Sequence, residues 1–239
     1  MENEQNISAQ ESAPQLSIGA KIAGVFLDPR KTFSCLAVKP DFIAPLIILA
    51  IVSLIFVAIA WPVIEKESFE TQIERMQERG VSQEDIDKSL DMQKKMGKYF
   101  GFAGAPIGVV INTIIITAVL LFIGNVILGG SQKFKFMFGV YAYSALIQVP
   151  ESLIKLLLVM NKGTLKVYTS LALLFPQSAE KSVLFKIAEM FDIFTIWQMI
   201  VLSIGMAVIY KFTTQKTLTA VGTLYVLFHA VRIVIGNIF

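Results

Sequence analysis

Five ionisable side chains fall at or inside stretches that otherwise look made for lipid: Glu151, Lys155, Asp192, His229 and Arg232. A charge at the centre of a membrane helix costs about 2.5–3.5 kcal/mol on insertion scales, so such groups turn towards a helix bundle or a wet cavity. The chemistry they could carry is passage of an ion or proton, or mutual neutralisation. Glu151 and Lys155 are four residues apart with the acid first, the favourable order for a pair on one helix face. Pro150 cannot donate a backbone hydrogen bond and frees the carbonyl of Leu146, which predicts a kink or break there. Three readings of Glu151 stand side by side: a neutralised pair at a kink facing other helices, a wet carboxylate after a span that breaks at Pro150, or an ion or proton site. Asp192 falls about one turn into an apolar run, at an interface or facing the bundle. His229 and Arg232 are three apart and share a helix face, with Arg232 near enough to the last residue to snorkel.

Other chemistry is poorly supplied. One histidine and one cysteine, Cys35, exclude a Cys/His metal cluster and an internal disulfide. There is no HExxH, GxSxG or phosphate-binding loop of the Walker type. The glycine-rich "LGGSQK" (128–133) joins two apolar runs rather than a strand to a helix, and reads as a tight connection. The expectation is no enzyme, no cofactor and no metal.

The elements that hold these groups follow from composition. The chain of 239 residues is 55% hydrophobic and 16% charged, whereas soluble domains carry about 25% charged residues. The charges are segregated, and a net charge of +3 is too dispersed for nucleic acid. This predicts an all-α, polytopic integral membrane protein whose primary partner is the lipid bilayer. Five runs are long enough to cross a ~30 Å core as helices: about 42–64, 99–128, 136–160, 187–210 and 218–239. A nine-residue run, 167–175, is too short to cross and is expected to lie at the interface or re-enter. Residues 1–15 are polar, lack the order of a cleaved signal and read as a disordered tail. The first apolar run is then expected to act as an uncleaved insertion signal. Ile18, Ile22, Val25 and Phe26 recur at helical spacing, with Lys21 on another face, predicting an amphipathic helix on the membrane surface. Asp28-Pro29 ends it, and a second short helix runs from Pro29 to near Lys39-Pro40.

Residues 65–98 hold seven Lys/Arg and nine Asp/Glu. Phe69, Ile73 and Met76 share a face, Gly80 suits a helix stop, Ser82 with Asp85 suits a capping box, and Ile86 and Leu90 continue an apolar stripe. The prediction is a charged extramembrane helical hairpin, its second arm running into span two. It serves either as a solvated spacer or as a docking surface. At the start of span two, Gly97 and Gly101, then Gly104 and Gly108, repeat at four-residue spacing, which lets helix backbones approach closely in lipid. The two uses are packing within the chain and a homodimer seam.

Three stretches carry a family likeness: "FLDPRKTF" before the first span, "ILGGSQKFKFMFGVYAYSALIQVP" between the second and third, and "DIFTIWQMIVLSIGMAV" in the fourth. In this order, with five spans, residues 17–239 resemble the Yip family (Ypt/Rab-interacting proteins), in its bacterial branch. The charged "VSQEDIDKSLDMQKKM" is similar to the long first loop of some bacterial members. The resemblance implies a five-helix membrane domain with a cytoplasmic N-terminus, in a bacterial cytoplasmic (inner) membrane. Eukaryotic relatives are associated with vesicle traffic and small GTPases. The N-terminal segment here lacks the acidic Tyr-Gly-Pro motif of that branch, so GTPase binding is implied only by distant analogy. The resemblance carries no catalytic residues over.

Charge leans the other way on orientation. With the N-terminus inside, eight Lys/Arg face the cytoplasm and eleven the opposite side, against the positive-inside rule. The leading functional expectation is a non-enzymatic scaffold, adaptor or accessory subunit for membrane organisation, trafficking or transport assemblies. Its partners would be other membrane proteins, such as a transporter complex, or further copies of itself. The alternative is a small transporter or channel in which the five polar groups line one path and helices broken at Pro106 and Pro150 form the site.

Overall fold

The computed structural model describes residues 16–238, so the expected tail at 1–15 lies outside the described residues. Among them the regular elements are helices: α1 (Ile18–Leu27), α2 (Pro29–Val38), α3 (Ile43–Glu78), α4 (Gln83–Phe122), α5 (Phe134–Ser144), α6 (Gln148–Lys162), α7 (Val183–Glu189), α8 (Ile193–Tyr210) and α9 (Thr214–Ile238). A π-helical turn, Ile123–Ile127, ends α4, and a 3-10 turn, Ala145–Ile147, separates α5 from α6. Five segments are long and apolar enough to cross a membrane: Ile43–Glu78, Gln83–Ile127, Phe134–Lys162, Ile193–Tyr210 and Thr214–Ile235.

The element boundaries have local causes. Ser17 caps α1 through the Ala20 amide, and Asp28 both closes α1 and caps α2 through the Lys31 amide, with Pro29 in the first turn, where its missing donor costs nothing. The helix that carries the first span does not stop at residue 64. Glu, Lys, Gln and Met are good helix formers, and no stop signal intervenes, so α3 runs on to Glu78. Gly80 then adopts a left-handed φ of 70°, and the Val81 amide bonds back to the Met76 carbonyl. Ser82 accepts from the Asp85 amide, while its hydroxyl donates to the Asp85 carboxylate. Aspartate is one methylene shorter than glutamate and reaches the hydroxyl, so the reciprocal bond to the backbone in a full capping box is replaced.

Further helix bounds differ from those expected of the apolar runs. Span four begins at Ile193 rather than 187, because α7 ends at Glu189 and Asp192 starts a new helix. Span five starts at Thr214, behind Thr213, which accepts from the Lys216 amide. Pro106 does not break its helix, and neither does Pro62: α4 and α3 continue through them. Apolar spans tolerate such a proline when neighbouring groups re-satisfy the freed carbonyl. Span three is interrupted upstream of Pro150, at 145–147, so Pro150 stands in the first turn of α6, where no intrahelical donor is needed. The short run near 167–175 forms a 3-10 turn, Leu171–Leu174.

The chain forms two compact units. Of the described residues, 16–46, 113–147 and 196–238 make the first; Ile47–Asn112 and Gln148–Thr195 make the second. In the first, Val25, Phe33, Met137, Val140, Ile147 and Met206 are fully buried. A Cβ at Gly205 would lie 2.5 Å from Val140 and 3.1 Å from the Phe33 ring, so α8 admits these side chains only because it lacks one there. In the second, Ala60 and Val63 of α3 pack on Leu156 and Val159 of α6 and on Val167. Lipid tails are as apolar as leucine, so burial alone does little to hold such helices together; close packing and polar ties carry more.

Candidate functional site

Glu151 and Lys155 form an ion pair on α6. Their side chains are 12% and 34% exposed, so the carboxylate is largely covered while the ammonium still reaches outward. Glu151 also lies in the first turn of α6, where the helix dipole favours an anion. Asp192 is elsewhere in the same unit and does different work. Its Oδ1 accepts from the amides of Phe194 and Thr195 at 2.9 and 3.0 Å, and its Oδ2 accepts from the Thr169 hydroxyl. It is therefore a helix cap rather than a residue one turn inside a span. His229 and Arg232 belong to the other unit. The His229 ring lies 4.4 Å from that of Tyr225 and 5.5 Å from that of Phe228, and Arg232 is exposed.

The four glycines separate into two pairs. A Cβ at Gly101 would stand 2.6 Å from the Trp61 indole, and one at Gly97 3.9 Å from it, so these residues seat Trp61 of α3 against α4. Gly104 and Gly108 face open space, with nothing within 4 Å of a Cβ there.

A cluster of polar side chains lies in the first unit, around the glycine-rich connection 128–133. Asn125 sits in the π-helical turn. Its amide donates to the Gln132 carbonyl at 3.0 Å, and its Oδ1 accepts from the Gln132 amide at 2.9 Å and the Tyr210 hydroxyl at 2.9 Å. The Gln132 side chain donates to the Ile209 carbonyl, and Lys216 Nζ to the Leu128 carbonyl at 3.0 Å. Gly124 and Gly130 make room for the Tyr210 ring: a Cβ would fall 2.3 and 2.4 Å from it. Thus one turn ties the end of α4 to the end of α8 and the start of α9. Extra-residue π turns recur at functional sites. A second tie joins Lys21 of α1 to Asp41 at 3.1 Å, with the Tyr143 hydroxyl donating to the same carboxylate at 3.2 Å. Burial works to raise the Asp41 pKa, but the hydrogen bond and charge of Lys21, with the Tyr143 hydroxyl, outweigh it and hold the group below the usual carboxylate value.

Residues 23–235 match the Yip1 domain. The chain belongs to the Yip1-domain family. It is an integral membrane protein on that match and on its five apolar helices. The matched stretch starts within α1 and ends within α9, so the polar turn and the Asp41 tie both lie inside the Yip1 domain. No curated protein and no solved structure matches the chain.

The charged hairpin is also inside the Yip1 domain. Gln72 of its first arm donates to Ser89 of the second at 2.6 Å, and Ile86 is buried. At its base, the Glu67 carboxylate accepts from the Thr164 hydroxyl and, at 2.9 Å, from the Leu165 amide, anchoring the loop after α6. Beyond that loop Glu180 takes Lys166 at 2.8 Å and the Tyr168 hydroxyl at 3.3 Å. Burial, with the charges of Glu180 and Glu189, pushes the Tyr168 phenol up to about 12, so it stays a donor throughout the physiological range. Among the described residues, no group of three or more His, Cys, Asp or Glu side chains could hold a metal ion.

Proposed function

We propose that this Yip1-family protein is a non-enzymatic scaffold or adaptor that presents a rigid charged hairpin to other membrane proteins, among them transport assemblies. The supporting observation is the continuity of α3 and α4: each passes without interruption from an apolar span into one arm of the hairpin. The arms end in a capped turn and are tied to each other and to the 164–165 loop. A mere spacer needs neither tie. Within this reading the protein resides in a bacterial cytoplasmic membrane with its N-terminus inside, and small GTPases are partners only by distant analogy. The transporter alternative draws less support, because Glu151 and Lys155 neutralise each other and Asp192 is spent on a cap.

The test is replacement of residues 69–90 by a short flexible linker, followed by mild-detergent purification from native membranes. The shortened protein is expected to insert and stay helical, but to lose a stoichiometric membrane-protein partner that the full chain retains. Recovery of the full chain as a clean homo-oligomer that conducts ions in liposomes would reject the scaffold and favour the transporter.

A further inference from the structure

We propose that one end of the first unit is a docking surface for anionic phospholipid headgroups. Three basic pairs meet there: Arg30 and Lys31 at the start of α2, Lys133 and Lys135 at the start of α5, and Lys211 just after α8 with Lys216 in the first turn of α9. All six are exposed. Hydrogen bonds join the segments that carry them. Arg30 Nη2 donates to the Thr214 hydroxyl at 3.1 Å, Lys216 Nζ to the Leu128 carbonyl at 3.0 Å, and Gln132, next to Lys133, reaches the Ile209 carbonyl.

Acids do not answer these cations. Among the described residues of this unit the carboxylates are Asp28 and Asp41. Asp28 caps α2, and Asp41 is taken by Lys21. None of the six stands in an ion pair among the described residues, whereas Lys66, Lys88, Lys155 and Lys166 of the second unit all do. Cations gathered at one end without carboxylate partners favour an outside anion.

The occupant is a lipid rather than a soluble anion because exposed apolar side chains are interleaved with the cations. Leu27 is 84% exposed beside Arg30, Val126 and Ile127 are each 64% exposed in the π turn, and Phe134 stands between Lys133 and Lys135 at 41%. Cations set among apolar tips at the ends of membrane spans match a headgroup layer above acyl chains. An inorganic phosphate or an acidic protein surface gives those tips no partner.

The full chain in neutral micelles is titrated with phosphatidylglycerol and, separately, phosphatidylcholine, and bound lipids are counted by native mass spectrometry. Phosphatidylglycerol is expected to bind more tightly. Each headgroup-facing cation contributes roughly fivefold, so Lys31→Gln, Lys133→Gln and Lys135→Gln together should weaken it on the order of a hundredfold and leave phosphatidylcholine unchanged. Removing three hairpin cations (Arg79→Gln, Lys94→Gln, Lys95→Gln) should have little effect. Equal losses in both triple variants would reduce the preference to net charge and overturn the proposal. So would a full chain indifferent to phosphatidylglycerol, including one in which deleting the acidic residues 2–15 unmasks binding, since the occupant would then be the chain's own terminus. Should the triple variant fail to fold, the parent in 0.5 M salt serves instead: persistence of the preference there would equally overturn the proposal.

Discussion

Replacing Lys155 with methionine leaves the Glu151 carboxylate in place and takes away its counter-charge. Breaking a buried pair from one side costs about 3–5 kcal/mol, and breaking an exposed one at most about 1 kcal/mol. Glu151 is 12% exposed and Lys155 34%, so this pair falls between the limits and the single replacement should cost about 2 kcal/mol. Glu151→Leu should cost less, about 1 kcal/mol, because a lysine already one-third exposed can straighten towards the interface. That figure includes the loss of an anion from the first turn of α6. Replacing both residues removes the charge and its desolvation together and should be near neutral. In a protein of this size about 2 kcal/mol corresponds to a Tm lower by roughly 4–8 °C. Thermal unfolding in detergent should therefore rank Lys155→Met lowest, Glu151→Leu next and the double variant closest to the parent. If the double variant loses the sum of the two singles, the groups do not neutralise each other. If all three match the parent, both are wet and the pair is ornamental.

Three further outcomes follow from other contacts. Gly101→Ala should destabilise by about 1–3 kcal/mol, because its Cβ would sit 2.6 Å from Trp61, while Gly104→Ala and Gly108→Ala, facing open space, should be neutral or gain up to about 1 kcal/mol of helix propensity; thermal denaturation of the three variants separates them. Tyr210→Phe keeps the ring and loses its bond to Asn125, costing about 1 kcal/mol, whereas Gly130→Ala, whose Cβ would meet that ring at 2.4 Å, should be clearly worse in the same assay. Since the folded pKa of Asp41 lies below its ordinary 3.8, its tie is at full strength above that value and fades as pH falls through the lower folded value; Asp41→Asn should flatten the acid limb of a stability–pH curve below about pH 4 and lie parallel to the parent above it.

Much of this architecture is legible in one dimension. Five apolar runs of membrane length need only counting, and the bounds of α2 follow from Asp28-Pro29 and Lys39-Pro40 because proline and capping signals act on adjacent backbone. The structure departs from the one-dimensional reading where a local signal competes with a longer one. The stretch 187–191, apolar but for Glu189, reads as continuous with 193–210, yet Asp192 before Ile-Phe-Thr is a helix-start signal, and the amides of 194 and 195 answer it. Pro150 frees the Leu146 carbonyl, and Leu146 lies in the 3-10 turn that separates α5 from α6, with the proline itself in the first turn of the following helix. The Asn125 cluster could not be read at all: Tyr210 is 85 residues away, and only folding brings its ring over Gly124 and Gly130. Two glycines flanking an asparagine at the end of an apolar span were the available hint.

The length of α3 has a mechanical corollary. Its 36 residues make a rod of about 54 Å, and a hydrocarbon core occupies about 30 Å of that. Some 24 Å of unjointed helix is therefore more than that core needs, and α4, with 40 residues, exceeds it in the same way. A flap on a loose loop can be gripped without disturbing its base; a rod cannot. Turning the tip at Gly80 would bear on both arms at once, because Gln72 is bonded to Ser89, and through them on the spans they continue. A molecule holding this tip would sense the azimuth of the buried helices, and lipid acting on those helices would alter which charged face the tip presents.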